Sequence, residues 1–479
     1  MSRGRKPNSK INSLNWEEIF WENLPIYIRC INSYFDANDI DFIEVGDCLE
    51  KLTFNIPKGL NSKEIKSQGN YPVISQSKEF IIGYNDNENL LIKTDLPLVI
   101  FGDHSKTIKF IDQPFVIGAD GVKLLKPKNI FDEKFFYYFL HGIITDTKDY
   151  GRHYSLLRKG VVAKVENKAI QKFVVEFLDD LKNNSISNER IYFNKGVEIK
   201  IITLHENQIT GNILSSELTH QLSLVKKLRQ QLLQDAVQGK LVKQNPKDES
   251  ASELLKKIKA ERSKIKKANQ LEPINYNKIL YDVPDNWIWC RLGNIVQMTR
   301  GKFSIRPRND PSYFGGEYPF IQIGSLDEKG SVVNEAPQML NEKGIRVSKK
   351  FPKNTIAIAI VGGTIGNLGV LGREMYFTDS IIGIIPSSFY NQDFILNFLR
   401  YKQPEIKAEA YQMAGQPNIK IPTLENLILP LPPLDEQIRI VKKLDQLMSI
   451  CDELEASIKQ SAAQNEKLLQ QVLREALRK

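Results

Sequence analysis

The side chains that could carry out a reaction are scattered through this sequence. Its five histidines and four cysteines show no metal-ligand spacing and no C-x-x-C pair, so neither a zinc site nor a disulfide framework is expected. The Gly-rich run from Val361 to Gly369 lacks the Lys-Ser/Thr ending of a P-loop, which favours a tight turn or a loop that approaches DNA over a nucleotide site. No nucleophile and base can be paired from the sequence. We therefore predict a binding protein with no catalytic residues.

Composition and charge agree with a binding protein of the cytoplasm. A chain of 479 residues is too long for one core, so two or three domains are expected. The formal net charge of +9 suits a polyanionic partner. No apolar run approaches the ~20 residues of a membrane span, and the basic N-terminus does not resemble a signal peptide. Residues 1–10 are interpreted as a solvated tail, or as a basic arm that lies along a phosphate backbone or enters a minor groove.

Residues 434–479 are predicted to form one long helix. They follow Pro430-Leu431-Pro432-Pro433, which cannot continue an earlier helix, and they contain neither Pro nor Gly. Apolar side chains recur in steps of three and four, as in a coiled-coil seam: Ile440, Leu444, Leu447, Cys451, Leu454 and Ile458. The seam turns polar at Ser461 and Asn465. Three interpretations of these two residues stay open: they set the register of a helix pair, they mark where the pair meets another subunit, or they lie at an end exposed to solvent.

A second helix of this kind is predicted from Ser215 to about Val242. Its apolar face consists of Leu218, Leu222, Val225, Leu228 and Leu232. A basic helical stretch, Glu253–Lys267, follows it and is either a solvated face or a contact to a DNA backbone. We expect the two long helices to pair with each other.

Two β-rich regions repeat one plan. Gly46 and Tyr71 in the first region correspond to Gly293 and Tyr318 in the second at one common offset. Downstream, the predicted buried helix Phe135–Leu140 has its counterpart in Phe394–Leu399. A chain that repeats a domain and a rod suits a ligand with two separated half-sites, of which duplex DNA is the obvious candidate.

The predicted fold class is α+β, with two repeated β-rich domains separated by two long helices that pair as an antiparallel coiled coil. The predicted divisions are an N-terminal arm and helical segment (1–40), a first β-rich domain (41–190), a connecting segment with the first long helix (191–272), a second β-rich domain (273–433) and a C-terminal helix (434–479). Two finer expectations are a loop over Tyr150–Ser155 and irregular structure over 166–210, except for a helix near Ile170–Leu181.

Several segments resemble the specificity subunits of type I restriction–modification systems. The resemblance covers nearly the whole chain and is carried by these segments: Ile419-Lys420-Ile421-Pro422, Leu429-Pro430-Leu431-Pro432-Pro433-Leu434-Asp435-Glu436-Gln437, Leu218-Thr219-His220-Gln221-Leu222, Gln238-Gly239-Lys240-Leu241, Gly362–Gly366 and Gly415-Gln416-Pro417-Asn418. The first copy departs from the pattern. It lacks the Pro-Leu-Pro-Pro-Leu segment and has Arg152-His153-Tyr154-Ser155 where the second copy has Gly415–Asn418.

The resemblance implies a division of labour. Each β-rich region would be a target recognition domain that reads one half of a split sequence in double-stranded DNA, and the paired helices would be the spacer. Two methylation subunits would dock on the helices and methylate adenine, and two restriction subunits would translocate and cleave the DNA. S-adenosylmethionine, ATP and Mg would be bound by those partners, and this chain would bind no cofactor and no metal.

Polar and cationic loop residues are the expected DNA ligands, because base edges in the major groove are read by Arg, Lys, Asn and Gln. In the first region these are Lys106, Lys109, Arg152, His153, Tyr154 and Arg158. In the second region they are Arg300, Lys302, Arg306, Arg308, Gln322, Gln416 and Asn418. Phosphate contacts are assigned to Lys159, Lys349, Lys350 and Lys420.

An alternative left open by the sequence is a coiled-coil scaffolding or interaction protein whose β-rich regions do not read DNA. The salt dependence of DNA affinity separates the two hypotheses, because phosphate contacts make affinity fall steeply as salt rises.

Overall fold

The computed structural model describes residues 16–53, 56–118, 121–143, 153–187, 189–265, 271, 273–276, 279, 281–412 and 417–477. The expected basic arm, Arg152 and Gln416 lie outside these residues. The chain divides into two compact units. The first unit comprises Met1–Thr219 and Lys459–Lys479, and the second comprises His220–Ile458.

The first unit combines helices with short strands. Its helices are α1 (Trp16–Asp36), α2 (Val45–Cys48), α3 (Glu133–His141), α4 (Tyr154–Lys159), α5 (Lys168–Lys182) and the first part of α6 (Lys195–Val237). Its strands are β1 (Phe42–Glu44), β2 (Tyr71–Ile74), β3 (Gly83–Asn85), β4 (Leu98–Gly102), β5 (Ile108–Ile111), β6 (Val116–Ile117), β7 (Val122–Leu125) and β8 (Val161–Ala163).

The second unit continues with the end of α6. Its further helices are α7 (Ala251–Ile265), α8 (Leu292–Ile295), α9 (Glu342–Arg346), α10 (Gln392–Gln412), α11 (Ile421–Glu425) and most of α12 (Leu434–Leu477). Its strands are β9 (Ile288–Arg291), β10 (Gln297–Arg300), β11 (Phe314–Ile321), β12 (Val332–Val333), β13 (Gln338–Leu340), β14 (Lys350–Phe351), β15 (Ile356–Ala359), β16 (Leu368–Leu371), β17 (Met375–Phe377), β18 (Ile381–Ile385) and β19 (Ile428–Leu431).

Strand pairing confirms the predicted repeat. In the first unit β2 pairs parallel with β6, β4 lies between β5 and β7, and β1 pairs antiparallel with β8. In the second unit β11 pairs parallel with β17, β15 lies between β16 and β18, and β9 pairs antiparallel with β19. The short helices α2 and α8 follow β1 and β9 in the same way. Both units therefore share one topology, with added strands in the second.

Two predicted boundaries in the first unit are wrong. Helix α6 begins at Lys195, well before Ser215, because the carboxylate of Glu198 accepts hydrogen bonds from the backbone N–H groups of residues 192, 193 and 194. Ile201, which is 0% exposed, then anchors this turn in the core. Tyr154 and Ser155, which were expected in a loop, lie in α4, and residues 150–152 of that expected loop lie outside the described residues. Helix α5 confirms the helix expected near Ile170–Leu181.

The C-terminal helix begins at Leu434, as predicted. Its first turn is fixed by two side chains that are 0% exposed. Gln437 accepts a hydrogen bond from the backbone N–H of Asn391 (2.8 Å) and donates one to the carbonyl of Pro432 (3.0 Å). Glu436 accepts a hydrogen bond from Gln244 (2.6 Å). These contacts explain why the Leu-Asp-Glu-Gln segment marks the start of the helix.

The long helices run antiparallel within each unit. In the second unit Arg229 contacts Asp452 (2.7 Å) and Glu455 (3.1 Å), while Gln244, further along the chain, reaches Glu436. In the first unit Asn465 is 8% exposed and donates hydrogen bonds to the carbonyl of Gly211 (3.0 Å) and to the hydroxyl of Ser215 (2.9 Å). Asn465 is therefore a buried polar contact of the kind that sets register in helix pairs.

The predicted seam is correct at most but not all positions. Leu218, Val225, Ile440, Leu444 and Cys451 are buried, and Leu222, Leu232, Leu447 and Ile458 are half-buried. Leu228 and Leu454 were assigned wrongly, since they are 43% and 44% exposed. Between those levels the helices are joined by the guanidinium of Arg229 and the carboxylates of Asp452 and Glu455. An ion-pair contact there leaves the two leucines on the outside.

Candidate nucleic-acid interface

A group of arginines surrounds one aspartate where β10 ends in the second unit. Arg308 contacts one oxygen of the Asp379 carboxylate (2.5 Å), and Arg306 contacts the other (3.3 Å). The Nε of Arg300 donates to the backbone carbonyl of Asp379. We call Arg300, Arg306, Arg308 and Asp379 the arginine cluster. Two guanidinium groups share the carboxylate and the third binds the backbone carbonyl, so three cations face one anion and the cluster carries an excess of positive charge.

The backbone around the arginine cluster is fixed by strand pairing. Arg300 lies opposite Ile382 in the antiparallel pair of β10 and β18. Gly301 then passes so close to the segment after β17 that a Cβ at this position would lie 2.1 Å from the carbonyl oxygen of Thr378. Its N–H donates to the carbonyl of Ile381 (2.9 Å). A glycine is required at this close approach, and it brings the loop after β10 against the loop that carries Asp379.

The arginine cluster is both exposed and oriented. The side chains of Arg306 and Arg308 are 55% and 43% exposed, and that of Asp379 is 35% exposed. Arg306 also donates to the carbonyls of Phe303 (3.0 Å) and Ile305 (2.8 Å), and Arg308 donates to the hydroxyl of Ser380 (3.3 Å). Guanidinium groups held in this way lose less side-chain entropy when they meet a planar acceptor such as a guanine edge or a phosphate.

Lysines extend the positive surface around the arginine cluster. The hydroxyl of Ser348 donates to the carbonyl of Lys302 (2.9 Å), and Lys349 donates to the hydroxyl of Thr299, next to Arg300. Lys350 forms an exposed ion pair with Glu374 (2.6 Å). The structure therefore brings Arg300, Lys302, Arg306, Arg308 and Lys349 to one edge of the second unit, although they are separated in sequence.

Gln322 leaves the same end of its sheet as the arginine cluster. Ile321 lies beside Phe377 in the parallel pair of β11 and β17, so the residues that follow each strand emerge together. Gln322 is exposed, and its amide donates to the side-chain oxygen of Gln338 (2.7 Å). Two glutamines linked in this way present an ordered donor and acceptor pair, which is the chemistry that adenine recognition uses.

The Gly-rich run forms a turn between β15 and β16, in agreement with the tight turn expected from the sequence. Gly362 and Gly366 have φ angles of +79° and +81°, which favour glycine. Asn418 forms a β-bridge with Val361 at the start of this turn. Its Oδ1 is buried and has no hydrogen-bond partner among the described residues. Lys420 is exposed immediately before α11.

In the first unit Asp103 organises the predicted site. Its backbone carbonyl accepts from the N–H of His153 (3.0 Å), and its carboxylate accepts from the N–H of Tyr154 (2.8 Å). The ammonium of Lys123 lies 5.7 Å from the ring centroid of Tyr154. Burial raises the pKa of Tyr154, so the hydroxyl stays protonated and can donate. His153 is only 7% exposed, and this favours a structural role for its side chain.

The prediction for Lys109 is wrong in this structure. Its side chain is 4% exposed, and its ammonium donates to the carbonyls of Ser75 (2.8 Å), Glu79 (2.5 Å) and Phe80 (3.4 Å). Burial lowers the pKa of Lys109, and the nearby Glu79 opposes that shift. Lys109 thus ties one loop together and faces the interior.

Lys106 lies in the preceding turn with a φ of +59° and is half-buried, while Arg158 and Lys159 are exposed on α4.

Asp379 is the residue that sequence reasoning missed. A single carboxylate between Thr378 and Ser380 carries no motif, and only the pairing of β10, β17 and β18 places it among arginines that lie far away in sequence.

Within the described residues, no three His, Cys, Asp or Glu side chains are placed to hold a metal ion. None of the described helices has the length and apolar character needed to cross a bilayer.

Known proteins resemble parts of this chain, including the segment that holds the arginine cluster. The model of the family described as "Type I restriction modification DNA specificity domain" matches residues 284–464. Over 272 residues the chain is 34% identical to the Type I restriction enzyme EcoAI specificity subunit of Escherichia coli. The aligned region covers 52% of this chain and 44% of that protein. The EcoEI specificity subunit of the same organism is 32% identical over 272 residues, or 52% of this chain and 43% of that protein. The chain thus spans less than half the length of these two relatives.

Two further comparisons extend over more of the chain. The EcoBI specificity subunit of Escherichia coli is 21% identical over 393 residues, which is 80% of this chain and 73% of that protein. The crystal structure of the HsdS subunit from Thermoanaerobacter tengcongensis covers 91% of this chain and 96% of that chain, with a TM-score of 0.42 and 15% identity. The chain is thus similar in sequence to type I restriction–modification specificity subunits, and its residues 284–464 match the model of that DNA specificity domain.

Proposed function

We propose that this chain is the DNA-reading specificity subunit of a type I restriction–modification complex. The arginine cluster is the observation that carries the proposal. It lies in the segment that matches the DNA specificity domain, it is exposed, and its guanidinium groups are oriented before any ligand arrives. Such a surface suits direct readout of guanine and contact with phosphate.

Each β-rich region reads one half of a bipartite target in this proposal. In the second region the base-reading candidates are Arg300, Lys302, Arg306, Arg308, Gln322 and Asn418, with Lys349, Lys350 and Lys420 on phosphates. In the first region they are Lys106, Tyr154 and Arg158, with Lys159 on a phosphate. Lys109 is withdrawn from this set because its ammonium is already used by three carbonyls.

Catalysis belongs to partner subunits in this proposal. Two methylation subunits supply S-adenosylmethionine-dependent adenine methylation, and two restriction subunits supply ATP- and Mg-dependent translocation and cleavage. The complex acts in the cytoplasm. The long helices carry apolar side chains on their outer faces that suit a docking subunit. Leu224 and Ile450 are 46% and 51% exposed in the second unit, and Leu468 is 61% exposed in the first.

Methylome sequencing tests the proposal directly. A host that carries this chain with its methylation subunits is expected to show methylated adenines in a motif of two short specified sequences separated by a fixed gap. The same partners without this chain should give no such motif. A continuous motif, or methylation that does not depend on this chain, would contradict the proposal.

Salt dependence gives a second test that requires no knowledge of the target. Six or more phosphate contacts predict that DNA affinity falls by ~10³ or more between 50 and 200 mM salt. A scaffolding protein without DNA readout would show weak binding and no steep dependence. The assembled complex with methylation subunits is the species to measure.

A further inference from the structure

A cavity of about 780 Å³ opens in the second unit, away from the arginine cluster. Its walls come from the end of α6, from β9, α10 and α11, and from the residues Ile279 and Tyr281. The volume falls within the range of sites that enclose small organic ligands, roughly 300–1,000 Å³. No role in DNA recognition requires this cavity, so its lining indicates what else the chain could bind.

Aromatic rings form one wall of the cavity. The rings of Tyr281 and Trp289 meet edge to face, with centroids 5.3 Å apart and an interplanar angle of 60°. Tyr401 lines the cavity as well. Burial raises the pKa of Tyr281, so at neutral pH its ring is an uncharged phenol. Three electron-rich aromatic side chains line one cavity, and this favours an organic cation, which ring quadrupoles attract.

The charge of the lining favours the same ligand. Glu405 and Glu409 contribute two carboxylates, and Lys402 contributes one ammonium group. The cavity is therefore net negative in a chain whose formal charge is +9. Lys402 also shows how an ammonium is accommodated here. Its Nζ lies 5.7 Å from the Tyr401 ring centroid and 2.5 Å from a carboxylate oxygen of Glu405.

We propose that this cavity is a binding site for an alkylammonium group, either of a free polyamine or of a lysine side chain on another protein. The aromatic wall and Glu409 hold the cation, and Lys402 competes with it for Tyr401 and Glu405. The site needs no metal and no covalent step. It stands apart from DNA recognition, so it can be tested on the DNA-free chain whether or not the proposed function holds.

Calorimetric titration of the full chain with spermidine tests the site, with 1,8-octanediol as a neutral probe of similar length. Spermidine should bind with saturation and octanediol should not. Replacing Glu405 and Glu409 together by Gln should weaken spermidine binding about tenfold or more, the effect of losing ~1.4 kcal/mol. The matched control replaces Glu50 and Glu88 by Gln, since both are exposed carboxylates of the first unit. It changes the net charge equally and should leave the affinity unchanged.

The variant Lys402→Met gives a test in which the expected result is tighter binding, so a loss of protein stability cannot produce it. Removing the competing ammonium should tighten spermidine binding several-fold. Penta-lysine distinguishes the two sources of the ligand: binding of both probes supports the shared ammonium chemistry, and binding of spermidine alone restricts it to free polyamines. The proposal is overturned if octanediol binds as well as spermidine, or if the Glu405/Glu409 variant binds like the Glu50/Glu88 control.

Discussion

Replacing Asp379 by Asn tests whether the arginine cluster is oriented by that carboxylate. Asn keeps one acceptor oxygen and substitutes an NH₂ group for the other, so only one of Arg306 and Arg308 can retain its bond. The other guanidinium then faces a donor and turns away. The change leaves the shape of the side chain almost intact, which separates charge and hydrogen bonding from packing.

The expected effect on stability is small, whereas the effect on specificity is large. All three side chains are at least 35% exposed, and ion pairs of that kind contribute about 0–1 kcal/mol to folding. A bidentate arginine–guanine contact is worth ~1–3 kcal/mol of discrimination. Loss of one oriented arginine should therefore cost about 5- to 150-fold in the affinity ratio of cognate to non-cognate DNA. The melting temperature should hardly move.

The assay is methylome sequencing of cells that express the variant with the methylation subunits of the proposed complex, followed by binding measurements on the motif found. Fewer specified bases are expected in one half-site only. Glu374→Gln is the matched control because Glu374 pairs with Lys350, is 59% exposed, and lies at the other end of β17. It removes the same negative charge without touching an arginine.

Equal behaviour of the two variants would refute the reasoning. If Asp379→Asn and Glu374→Gln raised non-specific affinity alike and left the motif unchanged, the carboxylate of Asp379 would act only as surface charge. A loss of specified bases in both half-sites would contradict the assignment of the cluster to one region.

Three other outcomes follow from buried groups. Gly211→Val should destabilise the chain by about 1–3 kcal/mol in urea unfolding, since a Cβ at Gly211 would lie 2.6 Å from the Leu469 side chain. Gly196→Val on the same helix should not, since a Cβ there would lie 3.4 Å from the side-chain oxygen of Asn194, an ordinary contact distance. Burial lowers the pKa of His141 and His205 from 6.5 to about 4. The unfolded chain then binds more protons between those values, so stability should fall by about 2 kcal/mol per histidine from pH 7 to pH 5, and His141→Phe should flatten the profile. Lys109→Met should lower the melting temperature while DNA affinity per folded molecule stays constant, because three carbonyls lose their donor at ~1–3 kcal/mol each.

The repeat and the long helices were predictable because both leave regular spacings in the sequence. Steps of three and four residues specify a helix face locally, and two β-rich regions with the same landmarks specify the same pairing. The start of α12 at Leu434 was predictable for a related reason, since the prolines before it exclude any earlier start. Leu228 and Leu454 were not, because an ion pair between helices moved the contact surface away from them.

The site could be predicted only in part, because the sequence does not show which groups a basic side chain contacts. Arg306 and Lys109 look alike in a list of basic loop residues, yet one is 55% exposed and the other 4%. The difference comes from distant carbonyls and from strand register, neither of which a sequence pattern records. Short strands such as β5 and β17 depend on remote segments in the same way, since each forms only by pairing with a strand elsewhere in the chain.

Two aspartates at different places in the repeat, one after β4 and one after β17, shape different surfaces in the two units. Asp103 is 5% exposed and accepts from backbone N–H groups, so it shapes the path of a loop. Asp379 is exposed enough to reach solvent and accepts from guanidinium groups, so it orients cations. A region built on the first arrangement displays the side chains its loop carries, while a region built on the second displays arginines. If both regions read DNA as proposed, their different surfaces suit unlike half-sites, and an asymmetric target is therefore the expected outcome.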